Sequence, residues 1–286
     1  HANQIIDAAV AGKDIYCEKP LTNSLREAQV VIEVVREHGI VFQTGSQQRT
    51  EYGKRFVDAC EHVRNGHIGR VLTINVGVGD PSRACDLATE ETEPGLDWDR
   101  WQGPVPERGY SSVLSPRGVH GHFPHWRNYK EYGGGMVCDW GAHMIDIVNW
   151  GLGVDDSGPV GTIPAENPKA MKGAQLVYEG DIRMTHGVGM GSSFYGTDGR
   201  VECHRGIIGL WLGDKLVAGK ANRGDRNVNL GRELDKMESE YLKDAKVKLY
   251  QSSSHVPDFL NSMRTRKKPN THEIIGARTA IACHLL

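Results

Sequence analysis

The first 44 residues alternate between amphipathic helices and short apolar runs, and this order constrains the fold more than any other feature of the chain. Residues 2–10 carry a helical stripe of apolar side chains, and residues 14–17 form a short apolar run typical of a buried strand. A second helical stripe covers residues 25–35, and residues 40–44 form the next apolar run. Helix, strand, helix, strand is the order of right-handed parallel crossovers. We therefore predict the second half of a doubly wound α/β domain over residues 1–50.

Beyond residue 50 the pattern changes to that of a sheet whose strands follow one another directly. One more helix, over residues 56–63, leads to an alternating strand at residues 71–76. Four further strands are predicted near residues 174–179, 182–190, 200–204 and 207–212. Strands in direct succession favour antiparallel pairing, so we assign residues 51–286 to a second α/β domain.

The composition excludes two classes of partner. Lysine and arginine number 34 against 36 acidic residues, and no basic run is interleaved with aromatic residues, which argues against nucleic-acid binding. No apolar stretch approaches the roughly 20 residues that a membrane-spanning helix needs. The 6 cysteines are scattered without a C-x-x-C pair, so we expect free thiols in a reducing compartment, which favours the cytoplasm.

The chain begins at His1 inside one helical pattern and stops at Leu286 inside another. We interpret it as a fragment cut at both ends, in which the first strands of the α/β domain are missing and activity is impaired. A targeting signal would lie in the missing part, so a periplasmic location stays open.

A lysine stands where the first predicted strand ends, in the run Tyr16-Cys17-Glu18-Lys19-Pro20. Ligands of doubly wound sheets bind outside the carboxyl ends of the strands. Pro20 favours an extended conformation of Lys19, which fixes where the ammonium points. We predict that this ammonium acts on a bound ligand, although a lysine in such a place is otherwise a surface residue.

An acid and an imidazole lie one helical turn apart in the second informative motif. The spacing places Asp139 and His143 on one face of a helix predicted over residues 136–150. Oxidation of a secondary alcohol needs a base, and a carboxylate can fix the tautomer of an imidazole and stabilise its protonated form. Gly133-Gly134-Gly135 precedes the pair and lets backbone approach closely. The proline-rich stretch of residues 77–130 is long enough that we expect it to build part of the site.

The glycine-rich signature of a dinucleotide-binding turn is absent from the sequence. No G-x-G-x-x-G follows a predicted strand, and the run Gly187-Val188-Gly189-Met190-Gly191 has the wrong spacing. The residues by themselves therefore indicate hydride chemistry on a sugar or polyol but support a nucleotide cofactor only weakly.

Several runs together resemble one family. They are Cys17-Glu18-Lys19-Pro20, Trp126-Arg127, Gly133-Gly134-Gly135 with Asp139-Trp140-Gly141-Ala142-His143, Gly196-Thr197-Asp198-Gly199, and Phe259-Leu260 with Arg264-Thr265-Arg266. The chain resembles the glucose-fructose oxidoreductase and inositol dehydrogenase family, called Gfo/Idh/MocA, through nearly its whole length. The resemblance implies the carboxyl-terminal part of a Rossmann domain that binds NAD or NADP. It also implies a following α/β domain whose large, mostly antiparallel sheet presents the substrate and packs subunits into a homo-oligomer.

The resemblance further implies a role for each motif residue. Lys19 would hydrogen-bond the reacting hydroxyl and the nicotinamide ribose, His143 would accept the hydroxyl proton, and Asp139 would orient substrate and base. The residues expected near the nicotinamide end of the cofactor are Glu18, Lys19, Gln47, Gln48, Trp126 and Arg127. No metal is expected, and the strands that choose between NAD and NADP in the family are not in the sequence.

The expected activity is hydride transfer between a nicotinamide and a secondary alcohol of a sugar, polyol or cyclitol. The same residues would serve an NAD-dependent glycosidase or lyase, which oxidises its substrate transiently, eliminates a glycosidic bond and recycles the cofactor. Nothing in the motif residues separates these two alternatives.

Two hypotheses from other classes stay open. His120, His122 and His125, with Asp139 and His143, could hold the zinc or manganese of a hydrolase, because H-x-H is a known metal-ligand spacing. Such a hydrolase would leave the lysine at the strand end without a role. The other hypothesis is a non-catalytic binding or assembly module.

Overall fold

The computed structural model describes residues 1–118 and 124–286, which form two sheets and the helices around them. The strands are β1 Ile15–Cys17, β2 Phe42–Thr44, β3 Val71–Gly77, β4 Gly161–Ile163, β5 Gln175–Tyr178, β6 Ile182–His186, β7 Gly191–Gly196, β8 Gly199–His204, β9 Ile207–Leu212 and β10 Lys215–Gly219. The α-helices are α1 Ala2–Val10, α2 Leu25–His38, α3 Arg55–Arg64, α4 Trp98–Gln102, α5 Gly135–Asp139, α6 Gly141–Leu152, α7 Leu230–Lys236, α8 His255–Thr265 and α9 Glu273–His284. In the described ranges, no helix combines the length and apolar character that crossing a membrane requires.

The amino-terminal part has the predicted order of helix, strand, helix and strand. Strands β1 and β2 pair in parallel, with Tyr16 opposite Gln43. Ser24 caps α2 by accepting a hydrogen bond from the Glu27 amide, and Gly39 ends it in the left-handed conformation at φ 60°. The local signals and the parallel crossover are therefore confirmed for this part of the chain.

The carboxyl-terminal part is built on an eight-stranded sheet with the order β10-β9-β8-β7-β3-β6-β5-β4. All neighbouring strands pair antiparallel except β3 and β6, which pair in parallel. One row of directly opposed side chains crosses six strands on the same face and is fully buried under α3 and α6: Leu176, Met184, Ile74, Phe194, Val201 and Leu210. The large, mostly antiparallel sheet is therefore confirmed.

Strand β7 occupies the centre of this sheet, although the sequence analysis did not predict it. Its sequence, Gly-Ser-Ser-Phe-Tyr-Gly, lacks the β-branched residues that mark a strand. Gly196 is required by tertiary packing, because a Cβ there would lie 2.1 Å from the Ile68 carbonyl oxygen. The edge strands β4 and β10 also escaped prediction, and the strand predicted to residue 190 ends at His186.

The helix predicted over residues 136–150 is broken at Trp140 into α5 and α6. The His143 amide donates to the carbonyl of Trp140 at 3.0 Å instead of to that of Asp139. The Asp139 carbonyl accepts a hydrogen bond from Lys19 Nζ at 3.0 Å. A side chain from the distant segment that follows β1 thus takes the place of an intrahelical donor, which no local pattern could reveal.

The last helix packs with two separate hydrophobic cores. Ala277 and Ala280 of α9 lie in the core of the amino-terminal part, whereas Ala282 and Cys283 lie in the core beneath the large sheet. Gly276 lets α9 approach β2, since a Cβ there would lie 2.0 Å from Thr44 Oγ1. The boundary near residue 50 stays a prediction, and α9 is one element that connects the parts on either side of it.

Candidate active site

A cavity of about 510 Å³ lies where β1 ends, between the amino-terminal part and the glycine run. Its lining includes five of the residues predicted from the motifs: Glu18, Lys19, Trp126, Arg127 and Asp139. Other lining residues are Asn23, Tyr132, Cys138 and the three glycines 133–135. The fold therefore brings together residues that are more than 100 positions apart in the chain.

Lys19 forms the central ion pair of this cavity. Its Nζ lies 2.6 Å from Asp139 Oδ1, and the two side chains are 18% and 9% exposed. The Lys19–Pro20 peptide bond is cis. Because both charged groups are largely shielded from water but open to the cavity, their pairing keeps the ammonium at a defined position.

Asp139 is shared between two cations. Its Oδ2 atom lies 3.5 Å from Nε of Arg127, whose guanidinium lies over the Trp126 ring at 4.6 Å from the centroid. The 3₁₀ turn His125–Asn128 carries both residues of this Trp-Arg pair. The carboxylate therefore connects the strand-end lysine to the Trp-Arg motif, as an orienting group would.

His143 is buried near this ion pair, but its ring does not make the expected bond to the carboxylate. Its Nδ1 has no hydrogen-bond partner among the residues that the structure describes, and the Asp139 oxygens face Lys19 and Arg127. Burial lowers the pKa of His143 to about 3, helped by the charges of Lys19 and Arg205. The imidazole is therefore neutral at pH 7.

The two glutamines and Glu18 occupy different surroundings. Gln47 donates to Glu18 Oε1 at 3.0 Å and so lies beside the cavity wall. Gln48 is buried behind it, and its Nε2 donates to the His143 carbonyl at 3.3 Å. Gln47 is thus close to the predicted cofactor contacts, whereas Gln48 supports the helix that carries His143.

Arg205 is a charged neighbour of His143 that the sequence analysis missed. It lies in the turn between β8 and β9, and its guanidinium is held between the rings of Tyr52 and Trp140, 4.7 Å from each centroid. Its Nε donates to Gln48 Oε1 at 3.1 Å. The Trp140 ring also packs edge-on against His143. An arginine in a short turn carries no sequence signal of such a position.

The proposed metal ligands are only partly covered by the structure. His120 and His122 lie outside the described residues. His125 begins the 3₁₀ turn, and within residues 1–118 and 124–286 no group of three or more potential ligand side chains could hold a metal ion. The hydrolase hypothesis therefore stays open to a direct measurement.

The residues present fit the nicotinamide end of a dinucleotide. The Trp126 ring offers a flat apolar surface, and Lys19 and Asn23 offer donors for hydroxyl or amide oxygens. The three glycines leave the wall without side chains. A flat ring bearing an amide and a ribose suits this combination of groups.

Two models of one protein family match the chain. The model of the NAD-binding Rossmann fold of the oxidoreductase family matches residues 1–46, and that of the family's C-terminal alpha/beta domain matches residues 82–196. The chain belongs to the Gfo/Idh/MocA oxidoreductase family. The predicted family is therefore confirmed, and residues 1–46 correspond to its NAD-binding part.

Curated relatives resemble limited parts of the chain. The scyllo-inositol 2-dehydrogenase (NAD(+)) of Bacillus subtilis is 40% identical over 72 residues, which are 25% of this chain and 20% of that protein. The 2,7-anhydro-N-acetylneuraminate hydratase of Mediterraneibacter gnavus is 27% identical over 100 residues, which are 35% of this chain and 24% of that protein. The matched segments thus span about a quarter or less of these relatives.

The fold also resembles solved structures. The WlbA dehydrogenase from Bordetella pertussis, crystallised with NADH and UDP-GlcNAcA, superposes with a TM-score of 0.58 at 16% identity. The match covers 98% of this chain and 70% of that one. At this identity the similarity establishes the architecture, in which Rossmann strands adjoin a large sheet.

Proposed function

We propose that this protein is an NAD(H)-dependent oxidoreductase that acts on a secondary hydroxyl of a sugar, polyol or cyclitol. The observation that carries the proposal is the cavity in which the Lys19–Asp139 pair meets the Trp126-Arg127 motif. Its location outside the end of a parallel strand is where doubly wound sheets bind ligands. The family match to an NAD-binding Rossmann fold supports the choice of cofactor.

Lys19 is the group that would stabilise charge on the reacting oxygen. When bound, the nicotinamide ring would supply the hydride acceptor or donor. An ammonium held by Asp139 at 2.6 Å is already oriented, so little reorganisation is needed as the hydroxyl becomes an alkoxide. Asp139 offsets part of the positive charge at this place, because its carboxylate contacts both Lys19 and Arg127.

His143 is proposed as the base that takes the hydroxyl proton. Its pKa of about 3 keeps the ring neutral, which is the form that accepts a proton. The same low pKa means that the imidazolium is unstable beside Lys19 and Arg205. The proton that leaves the hydroxyl passes to His143, and in the reverse reaction, ketone reduction, the carbonyl oxygen takes it back.

The substrate class is proposed from the polar lining of the site and from the relatives. Named relatives act on a cyclitol and on a sialic acid derivative, and the WlbA structure contains a nucleotide sugar. All three ligands carry ring hydroxyls. Neither the individual substrate nor the preference for NAD over NADP follows from the described residues.

The test is an assay of hydride transfer by the full-length protein. NAD⁺ and NADP⁺ would be offered with a panel of inositols, aldoses and uronic acids, and cofactor reduction would be followed by absorbance. A substrate deuterated at the reacting carbon should deliver its deuterium to the nicotinamide. Failure of every polyol and sugar to transfer a hydride would contradict the proposal.

Cofactor-recycling elimination is the second candidate, favoured by the match to the M. gnavus hydratase. It uses the same lysine, base and nicotinamide, so the two candidates differ only in net chemistry. Bond cleavage or water addition without net NADH release would identify the recycling enzyme. Net NADH release would identify the dehydrogenase.

The metal-dependent and non-catalytic alternatives have their own measurements. Elemental analysis of the purified protein should find no stoichiometric zinc or manganese, and exhaustive chelation should leave activity intact. One tightly held zinc per chain would favour the hydrolase. Cofactor binding without turnover of any substrate would favour the binding module.

We also propose that the protein is a homo-oligomer that associates through the large sheet. One row of cross-strand neighbours on the face opposite the buried row includes Thr73, Tyr195 and Leu216, and all three are exposed. The same row carries Arg183 and Arg200, and the exposed apolar groups of Tyr195 and Leu216 suit contact with a second copy. Sedimentation velocity would test this, and a monomer at micromolar concentration would contradict it.

A further inference from the structure

Two cysteines and a histidine meet behind the glycine run and have no part in the proposed hydride chemistry. Cys138 lies on α5, one residue before Asp139, and its Sγ is 3.5 Å from Nδ1 of His284 at the end of α9. The Cys283 thiol lies close enough to the same sulfur for the two to shift each other's pKa. The cluster therefore consists of a thiol with an imidazole and a second thiol as neighbours.

The orientation of His284 directs one nitrogen at the sulfur. Its Nε2 lies 3.0 Å from the Thr22 carbonyl oxygen, which can only accept, so Nε2 carries a proton. Nδ1 then faces Cys138 and can take or share the thiol proton. This is the arrangement in which an imidazole activates a thiol.

The electrostatics agree with the geometry. The hydrogen bond from Cys283 and the bond and charge of His284 lower the pKa of Cys138 to about 6, against burial and the Asp139 charge, which raise it. Burial acts in the same direction on two other thiols and prevails there, raising the pKa of Cys17 to about 11 and that of Cys203 to about 12. Cys138 is therefore the thiol set apart for reactivity at neutral pH.

Cys138 also has access to the cavity. Its residue belongs to the cavity lining together with Lys19 and Arg127. The sulfur is packed against Gly134. A Cβ at that position would lie 1.9 Å from Sγ, so only a glycine there avoids a clash with the thiol. Because Cys138 is only 4% exposed, a molecule must be small to reach this sulfur from the cavity.

We propose that Cys138 is a modification site for hydroperoxides, with Cys283 as its resolving thiol. The Cys138 thiolate attacks the terminal peroxide oxygen, so an S–O bond forms, the O–O bond breaks, and the alcohol or water leaves with a proton from His284. The Cys283 sulfur then attacks the sulfenic acid, an S–S bond forms, and water leaves with the Cys283 proton. Two thiols lose two electrons in total, and the peroxide is reduced by the same two.

The first test is the rate of alkylation of each cysteine in the full-length, reduced protein. Iodoacetamide at pH 7, quantified by peptide mass spectrometry, should modify Cys138 at least about tenfold faster than Cys203, because far more of Cys138 is thiolate. The rate at Cys138 should reach half its maximum near pH 6, and His284→Gln should move that midpoint upward. A midpoint above pH 8 in the wild-type protein would overturn the proposal.

The second test uses hydrogen peroxide. One equivalent should link the peptides that contain Cys138 and Cys283, and dithiothreitol should reverse the link. Cys283→Ser should stop at a sulfenic acid that dimedone traps on Cys138, whereas Cys85→Ser, at a partly exposed cysteine outside the cluster, should leave the link unchanged. Absence of any Cys138 oxidation in both the wild-type protein and Cys283→Ser would contradict the assignment.

Discussion

Lys19 and Asp139, 120 positions apart in the chain, are joined twice, by an ion pair of 2.6 Å and by a 3.0 Å hydrogen bond from Lys19 Nζ to the Asp139 carbonyl oxygen. The second bond lies at the break between α5 and α6, where the Asp139 carbonyl accepts from Lys19 and the His143 amide donates to Trp140 instead. One ammonium thus fixes both the carboxylate and the start of the helix that carries His143.

Replacement of Lys19 should impair both cofactor binding and turnover. Lys19→Met keeps the length of the side chain but removes the charge, so among the described residues Asp139 retains Arg127 as its cationic neighbour. We expect turnover to fall by a factor of about 10² to 10³ and NADH affinity by about tenfold or more. Isothermal titration and initial rates would measure these changes. The exposed Lys13→Met is the matched control, and equal behaviour of both variants would make Lys19 a surface lysine.

Replacement of His143 should affect turnover alone. His143→Asn removes the proton acceptor but no cofactor contact, so turnover should fall by a factor on the order of 10² to 10⁴ while the Kd for NADH changes little. His62→Asn, at another buried histidine with a pKa of about 3, controls for the loss of a buried imidazole. Near-normal turnover of the His143 variant would remove this residue from the mechanism.

The charge of Arg205 should have a measurable effect on the pKa of His143. Burial is the main cause of the low pKa of His143, and the charges of Lys19 and Arg205 add to it. Arg205→Met should raise that pKa by roughly half a unit, the size expected of one partly screened charge, and Arg205→Lys should not. The ¹⁵N shifts of His143 between pH 3 and 6 would report it. Arg200→Met, in the same sheet but stacked on Trp211, is the control.

Asp58 should make the protein less stable as pH rises. Burial raises the pKa of this carboxyl from 3.8 to about 7, and its Oδ2 has no partner in the described part of the chain. The folded state therefore holds a proton that the unfolded state has lost, and stability falls as pH rises from about 4 to about 7. Asp58→Asn should remove this decline and gain up to roughly 4 kcal/mol at pH 8. Urea unfolding from pH 4 to 8 would measure it.

A matched control exists for Asp58. Asp244, whose side chain is 89% exposed, can be changed to Asn without altering a buried group. Its variant should follow the pH dependence of the wild-type protein. An Asp58→Asn protein with the same pH dependence as wild type would show that this carboxyl is ionised in the folded state.

Arg49 should be among the most sensitive positions for stability. Its guanidinium is buried, contacts Asp146 at 2.7 and 2.9 Å and Asp155 at 2.7 and 2.9 Å, and lies over the Trp150 ring. Arg49→Met should cost about 3–5 kcal/mol, because Asp146 is left buried without its partner. Urea unfolding of Arg49→Met and of the double variant with Asp146→Asn would test this. The double variant should recover part of the lost stability. An equal loss in both variants would exclude the unpaired charge of Asp146 as the cause.

Much of the fold and part of the site could be predicted from local sequence. Ser24 and Gly39 mark the ends of α2 because capping depends on neighbouring residues, and the alternating apolar positions of β3 and β8 determine which side chains face the core. Lys19 stands out because it follows a buried strand and precedes a proline. Each of these features depends on residues that are close together in the chain, so the sequence alone determines it.

Tertiary structure decided the remaining features. Strand β7 has little strand propensity and exists because its neighbours β3 and β8 supply hydrogen bonds on both sides. Asp139 pairs with Lys19 rather than with His143, and Arg205 reaches His143 from a turn of the large sheet, because distant elements place those charges there. Local spacing brings Asp139 and His143 near each other. The carboxylate nevertheless binds the ammonium of Lys19, which lies 120 positions earlier in the chain, because a charged donor forms the stronger hydrogen bond.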